Sequence, residues 1–133
     1  MSMVLEMILP DRRIEIHGLV SVVFQSGEGE IGVLRGHAPV ICEVRAGTLC
    51  AVESADRRQR FVTGQGLARI DKDRISLLLM DLIEEGQIDE AAARRQLQRA
   101  LAEAVLHPAD GDDYEQQVRF AEAQLALVRN GGV

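Results

Sequence analysis

The stretch Ser26-Gly27-Glu28-Gly29-Glu30-Ile31-Gly32-Val33-Leu34-Arg35-Gly36-His37-Ala38-Pro39 decides the fold. Its glycines at 27, 29 and 32 spell G-x-G-x-x-G behind an apolar run, "GLVSVVF" at 18–24. In a dinucleotide-binding domain a helix starts directly after such glycines, because its free N–H groups and dipole hold the pyrophosphate. Here Gly36 and Pro39 follow too closely for a helix. Glu28 and Glu30 would also place two negative charges inside the anion site. Glu53 lies 21 residues past Gly32 and imitates the ribose-binding acid, but no β-α-β unit surrounds it. The stretch therefore predicts a strand, a glycine turn and a short return strand.

The same grammar extends on both sides. Val4–Leu9 is an extended run closed by Pro10-Asp11, a turn signal. Arg13–His17, Val20–Gln25, Gly32–Leu34, Val40–Arg45, Gly47–Glu53, Arg60–Thr63, Gly66–Ile70 and Arg74–Met80 are short, rich in Val, Ile and Leu, and bounded by Gly, Asp or Ser. "SADRR" at 54–58 and "DKD" at 71–73 read as hairpin loops. Many short strands with regular turns and no helical period predict an all-β sandwich or barrel.

The period changes after residue 85. "DEAAARRQLQRALAEAVLHP" from Asp89 is dense in helix formers, with Asp89 as N-cap and Pro108 as the C-terminal limit. Ala93, Leu97, Leu101 and Ala104 form one stripe of this helix. "HPADGD" at 107–112 makes a short turn, and Asp112 with Glu115 has capping-box spacing. Tyr114, Val118, Ala121, Leu125 and Val128 stripe a second helix, ended by Gly131 and Gly132. The two helices should fold back as an antiparallel hairpin. Their alanine-rich stripes allow close approach but bury little apolar area, so the hairpin needs the β-domain or a partner to hold it. The expected architecture is α+β: a β-sandwich over 1–85 and a two-helix hairpin over 86–133.

Bulk properties narrow the function. The 133-residue chain, 47% hydrophobic and 27% charged, suits one modest core plus an appendage. A formal charge of −6 disfavours nucleic acid as partner. "MSMVLEMILP" is too short and too acidic for a signal peptide, and no run approaches the roughly 20 apolar residues of a membrane span, so a bacterial cytosolic setting is expected. Cys42 and Cys50 are expected as buried free thiols in a reducing compartment.

Catalytic candidates fail on residue chemistry. His107 sits at a helix end beside Pro108, where the dipole or plain exposure accounts for it. His17, His37 and His107 are the only histidines, and His37 with Cys42 and Cys50 lacks a fourth ligand and any compact zinc spacing. No G-x-S-x-G, H-E-x-x-H or P-loop occurs, so no catalytic residue, metal or cofactor is expected.

The order of motifs resembles one family. "GEIGVLRGHAP", then "FVTGQGLARI", then "QIDEAAARRQ" opening a helical hairpin is similar to the epsilon subunit of rotary ATP synthases, called delta in mitochondria. The family pattern G-x-x-G-x-L-x-G-H-A-P is met by Gly29, Gly32, Leu34, Gly36, His37, Ala38 and Pro39. Arg35 stands where proline is common, and Gln65 where the F-x-x-x-G-G segment has glycine. The resemblance spans essentially the whole chain. It implies a ten-stranded sandwich that grips the central shaft, the gamma subunit, and rests on the membrane ring of c subunits. It further implies peripheral attachment to the cytoplasmic side of the bacterial plasma membrane. Glu30, Arg35 and His37 are the implied ring- or shaft-contact residues. The hairpin would reach the alpha and beta subunits and restrain ATP hydrolysis. Some members bind ATP through I/L-D-x-x-R-A on the first helix; here Ile88-Asp89-Glu90-Ala91-Ala92-Ala93 lacks the arginine. The loss of that guanidinium predicts weak ATP contacts at most, through Asp89, Arg94, Arg95, Arg119 and Arg129. The alternative is a free-standing β-sandwich interaction module with a regulatory helical tail.

Overall fold

A computed structural model describes residues 2–130. The strands are β1 (Met3–Ile8), β2 (Arg13–Leu19), β3 (Ser21–Ser26), β4 (Gly29–Leu34), β5 (Val40–Val44), β6 (Gly47–Ser54), β7 (Arg57–Thr63), β8 (Gly66–Asp71), β9 (Arg74–Leu79) and β10 (Leu82–Glu84). A 3-10 turn at Glu85–Gln87 leads to α1 (Glu90–Leu106), and a second at Pro108–Asp110 leads to α2 (Gly111–Asn130).

One hydrogen-bonded path runs β10-β7-β6-β3-β5-β8-β9-β1-β2, with β4 on the other side of β3. It doubles over at the β3–β5 step, where pairing thins to Ser26 opposite Val44. The chain passes from one layer to the other at Arg45-Ala46, between β5 and β6. Every pairing is antiparallel except β1 with β9.

Period-2 alternation packs the space between the layers. Met3, Leu5 and Met7 of β1 are fully buried, as are Val22 and Phe24 of β3 and Ile75 and Leu77 of β9. They join Leu49, Val33 and Ile70 in one continuous core. At roughly 25 cal/mol per Å² of apolar area removed from water, this layer supplies most of the folding free energy.

The expected sandwich and hairpin are both present, with differences of detail. Strand β4 begins at Gly29, not Gly32, and β7 at Arg57, not Arg60, so "SADRR" contracts to a two-residue turn at Ala55-Asp56. Likewise "DKD" contracts to Lys72-Asp73. Cross-strand pairing carries polar residues into strands beyond the apolar segment. Strand β10 pairs Leu82 with Thr63 and Glu84 with Phe61, and its three residues are too few for alternation to register. Cys42 and Cys50 are free, but half-buried and not fully enclosed.

Helix α1 is capped as expected: Ala92 N–H donates to Asp89 Oδ1 at 3.2 Å. Its inner stripe uses Ala100, 2% exposed, where Leu101 was expected; Leu101 is 50% exposed. The smaller residue faces α2, which lets the helices approach closely. Asp112 is not an N-cap, because the Pro108–Asp110 turn runs straight into α2 at Gly111 and places Asp112 within the first helical turn. The expected stop at Gly131-Gly132 lies outside the described residues.

Candidate functional site

The glycine stretch that opens like a cofactor loop is a β-hairpin. Strands β3 and β4 pair from Ser21–Leu34 to Ser26–Gly29, and Gly27-Glu28 form the turn. Ser26 Oγ closes it, donating to the Gly29 carbonyl at 2.7 Å and accepting from Glu28 N–H at 3.2 Å. Gly29 and Gly36 take φ of 116° and 80°, a region that side chains disfavour, so both glycines serve turns. No helix N-terminus follows, and no phosphate cradle forms.

Glu30, Arg35 and His37 do not make one site. Glu30 is exposed beside the β3–β4 turn, whereas Arg35 and His37 lie beyond the opposite end of β4. Five residues at about 3.3 Å each separate Glu30 from Arg35 by roughly 17 Å. Arg35 Nε stands 3.9 Å from Asp73 Oδ1, and His37 Nδ1 donates to the Ala38 carbonyl at 2.7 Å. They are two separate surfaces.

The outer face of the β5-β8-β9-β1-β2 layer carries a feature that sequence reasoning did not single out. Leu67 stands opposite Leu78, and Leu78 opposite Ile8, all pointing away from the core. Ile41, Leu67, Leu78 and Met80 are 74%, 54%, 52% and 61% exposed. Leu67, Leu78 and Met80 border a shallow groove of about 570 Å³ that also includes Ile8 and Pro10. Clustered exposed leucines of this kind mark an interaction surface. Each strand run contained these residues, but assigning them outward requires the register.

The same face continues into an ionic network. Glu6, 8% exposed, pairs with Arg13 and with Arg74 at 3.4 Å, and accepts from Ser76 Oγ at 3.4 Å. Glu15 joins both arginines at 3.0 and 3.7 Å, and His17 Nε2 lies 2.8 Å from Glu15. Burial pushes the Glu6 carboxyl upward, but Arg13, Arg74 and Ser76 together outweigh it and hold it below its ordinary value.

On the hairpin, the implied nucleotide residues are dispersed. Asp89 is engaged as the cap, and Arg94 pairs with Glu90 at 2.9 Å. Arg95 is exposed on α1, and Arg129 is exposed near the end of α2. Arg119 points instead at the β-layer, where Nε donates to the Ala46 carbonyl at 3.3 Å. Between the helices and the β7–β8 and β9–β10 turns lies a cavity of about 340 Å³. Its polar lining includes Arg99, Gln96 and Gln116, but also Asp81 and Asp113. Burial raises the Asp81 carboxyl above its ordinary value. One arginine beside two acids is a poor receptor for a polyphosphate. Gln116, Arg99 and Asp81 were not legible as a cluster, since isolated polar residues on helix faces read as solvated.

Among the described residues no three His, Cys, Asp or Glu side chains gather to hold a metal, and no helix is long and apolar enough to cross a membrane. The geometry offers contact surfaces.

Similarity to known proteins runs along most of the chain. Residues 2–85 match the family model described as the ATP synthase delta/epsilon chain β-sandwich domain. The chain is 30% identical over 127 residues to the ATP synthase epsilon chain of Magnetococcus marinus, covering 93% of this chain and 92% of the relative. It is 31% identical over 129 residues to the chloroplastic ATP synthase epsilon chain of Lactuca sativa, covering 97% and 91%. The fold is similar to that of a chain in the cryo-EM structure of the Euglena gracilis mitochondrial ATP synthase, with TM-score 0.77 at 19% identity, covering 96% of this chain and 81% of that one.

Proposed function

The chain belongs to the ATP synthase delta/epsilon chain family, and from that membership we propose how this epsilon subunit works in its complex. It is an accessory stalk subunit without catalytic groups of its own. The apolar outer face around Leu67 and Leu78 seats the gamma shaft. A shaft helix laid on it would remove the exposed leucines from water, a large share of the affinity of a permanent interface. Glu30, on the exposed β3–β4 turn, meets the polar loops of the c ring. Arg35 and His37, at the far end of β4, belong to the shaft side. The chain thereby couples shaft and ring during proton-driven ATP synthesis, peripherally, on the cytoplasmic side of the bacterial plasma membrane.

The C-terminal hairpin reaches the alpha and beta subunits and restrains ATP hydrolysis. ATP itself binds weakly or not at all, because Ala92 supplies no guanidinium and the adjoining cavity carries Asp81 and Asp113.

The observation carrying this reading is the contiguous apolar face on a family-matched sandwich. A pull-down with the candidate gamma subunit tests it: the full chain and residues 1–87 should both retain gamma. Loss of gamma binding by the intact chain would sink the shaft assignment. Deleting 88–133 should raise hydrolysis by the assembled head, and an unchanged rate would refute the inhibitory role.

A further inference from the structure

Where the chain crosses between the layers, Ala46 is left without a strand partner. Strand β5 ends at Val44 and β6 pairing starts at Gly47 opposite Thr63, so neither peptide group of Ala46 joins a ladder. Ala46 is 2% exposed, which removes water as a partner. Both groups are instead bonded by α2: Ala46 N–H donates to Gln116 Oε1 at 2.8 Å, and the Ala46 carbonyl accepts from Arg119. The preceding residue reaches the same helix. Arg45, held by Glu43 at 3.2 Å, contacts Asp112 at 3.5 Å and Glu115 at 3.8 Å.

Asp112, Glu115, Gln116 and Arg119 stand at i, i+3, i+4 and i+7, one stripe of α2. This stripe is polar, and the cavity beside it mixes Gln96, Arg99 and Asp113 with Met80 and Phe120. Gln116 Nε2 is buried without a hydrogen-bond partner among the described residues, so its carbonyl end is committed to Ala46 while its amide end gains nothing. At the Arg45-Ala46 crossing itself the contact with α2 is made by directional bonds.

We propose that the Arg45-Ala46 crossing is a latch that seats the helical hairpin on the sandwich, read by Gln116 and Arg119 and strengthened by the Arg45 ion pairs. The hairpin completes the hydrogen bonding of the crossing, and the crossing in turn fixes where α2 sits. Its strength falls as salt screens Arg45 from Asp112 and Glu115. The latch lies wholly within this chain and needs no partner subunit.

Two measurements on the full chain test it together. Amide hydrogen exchange reads the crossing, and small-angle X-ray scattering reads the hairpin's position. In Gln116→Leu with Arg119→Gln, exchange at Ala46 should rise about fivefold or more, and the maximum dimension should increase. Helical circular dichroism and slow exchange at Phe24 and Leu77 should persist, excluding unfolding. Gln116→Glu, which keeps the acceptor, should restore slow exchange at Ala46, and 1 M salt should loosen the wild type toward the double variant. Faster exchange at Ala46 with unchanged dimensions would reduce the contact to a local bond and overturn the latch. Unchanged exchange would overturn it as well. If the double variant unfolds, Gln116→Glu and the salt series decide alone: salt-independent dimensions refute the proposal.

Discussion

A methyl group on Gly66 would lie 1.8 Å from the carbonyl oxygen of Leu78. The two strands β8 and β9 approach so closely there that only a hydrogen fits. Gly66→Ala should cost about 3 kcal/mol or more, or prevent folding, because a backbone atom must move. Gly32→Ala, whose new carbon meets only Val23 Cγ2 at 4.0 Å, should change stability by about 0.5 kcal/mol or less. Urea denaturation of both variants checks this, and equal effects would contradict it.

Leu77 and Leu78 are neighbours with opposite duties: one is fully buried, the other 52% exposed. Leu77→Ala should lose about 2–5 kcal/mol of stability. Leu78→Asp should leave the melting temperature nearly unchanged while weakening gamma capture at least about tenfold. Thermal unfolding and a titration with gamma read the two effects separately. A stability loss at 78 matching that at 77 would show the face to be covered within this chain.

Acid titration should reveal Glu6. Its folded value lies below the ordinary 4.5 because Arg13, Arg74 and Ser76 overcome burial. A carboxyl depressed on folding stabilises the native state fully above its unfolded value, and that contribution disappears as pH falls through the folded value. Glu6→Gln should therefore be less stable than wild type at neutral pH, with the gap narrowing below about 4.5. Asp81 acts in the opposite sense, since its raised value penalises the charged form and acid relieves that penalty. Parallel stability curves for wild type and Glu6→Gln across the acid range would refute the assignment.

Restoring the missing guanidinium should create measurable nucleotide affinity. Ala92 follows Asp89 on the first turn of α1. Ala92→Arg is expected to strengthen ATP binding about tenfold or more, the worth of one charge-assisted bond of about 1.5–3 kcal/mol. Calorimetry on the isolated chain decides it. Micromolar binding by the wild type would show that Ala92 does not limit the site.

Most of the β-domain was legible because alternation and turn residues report the same thing. The run Val20–Gln25 is β3 to within a residue at each end, and Pro10-Asp11 ends its strand as turn chemistry requires. The helix cap at Asp89 was equally plain. What stayed hidden depends on partners distant in sequence. Strand β10 exists through pairing with Thr63 and Phe61, and the outward direction of Leu67 follows from its place opposite Leu78. Helix α2 was the hardest to read. Its apolar stripe toward α1 dominates the pattern, whereas Gln116 and Arg119 find their use only beside the unpaired backbone of Ala46. Hydrophobic periodicity carries no signal for a helix that docks through polar side chains.

The parallel alignment of β1 with β9 has a consequence during synthesis. Val4 meets Arg74 and Ile8 meets Leu78, partners 70 residues apart. At about 5–20 residues per second, the first strand emerges roughly 4 to 14 seconds before its second neighbour is made. Until then β1 pairs with β2 alone, and its other edge, which β9 will take, has no ladder partner. A chain stalled before Arg74 therefore leaves one edge of β1 unpaired and open to foreign strands.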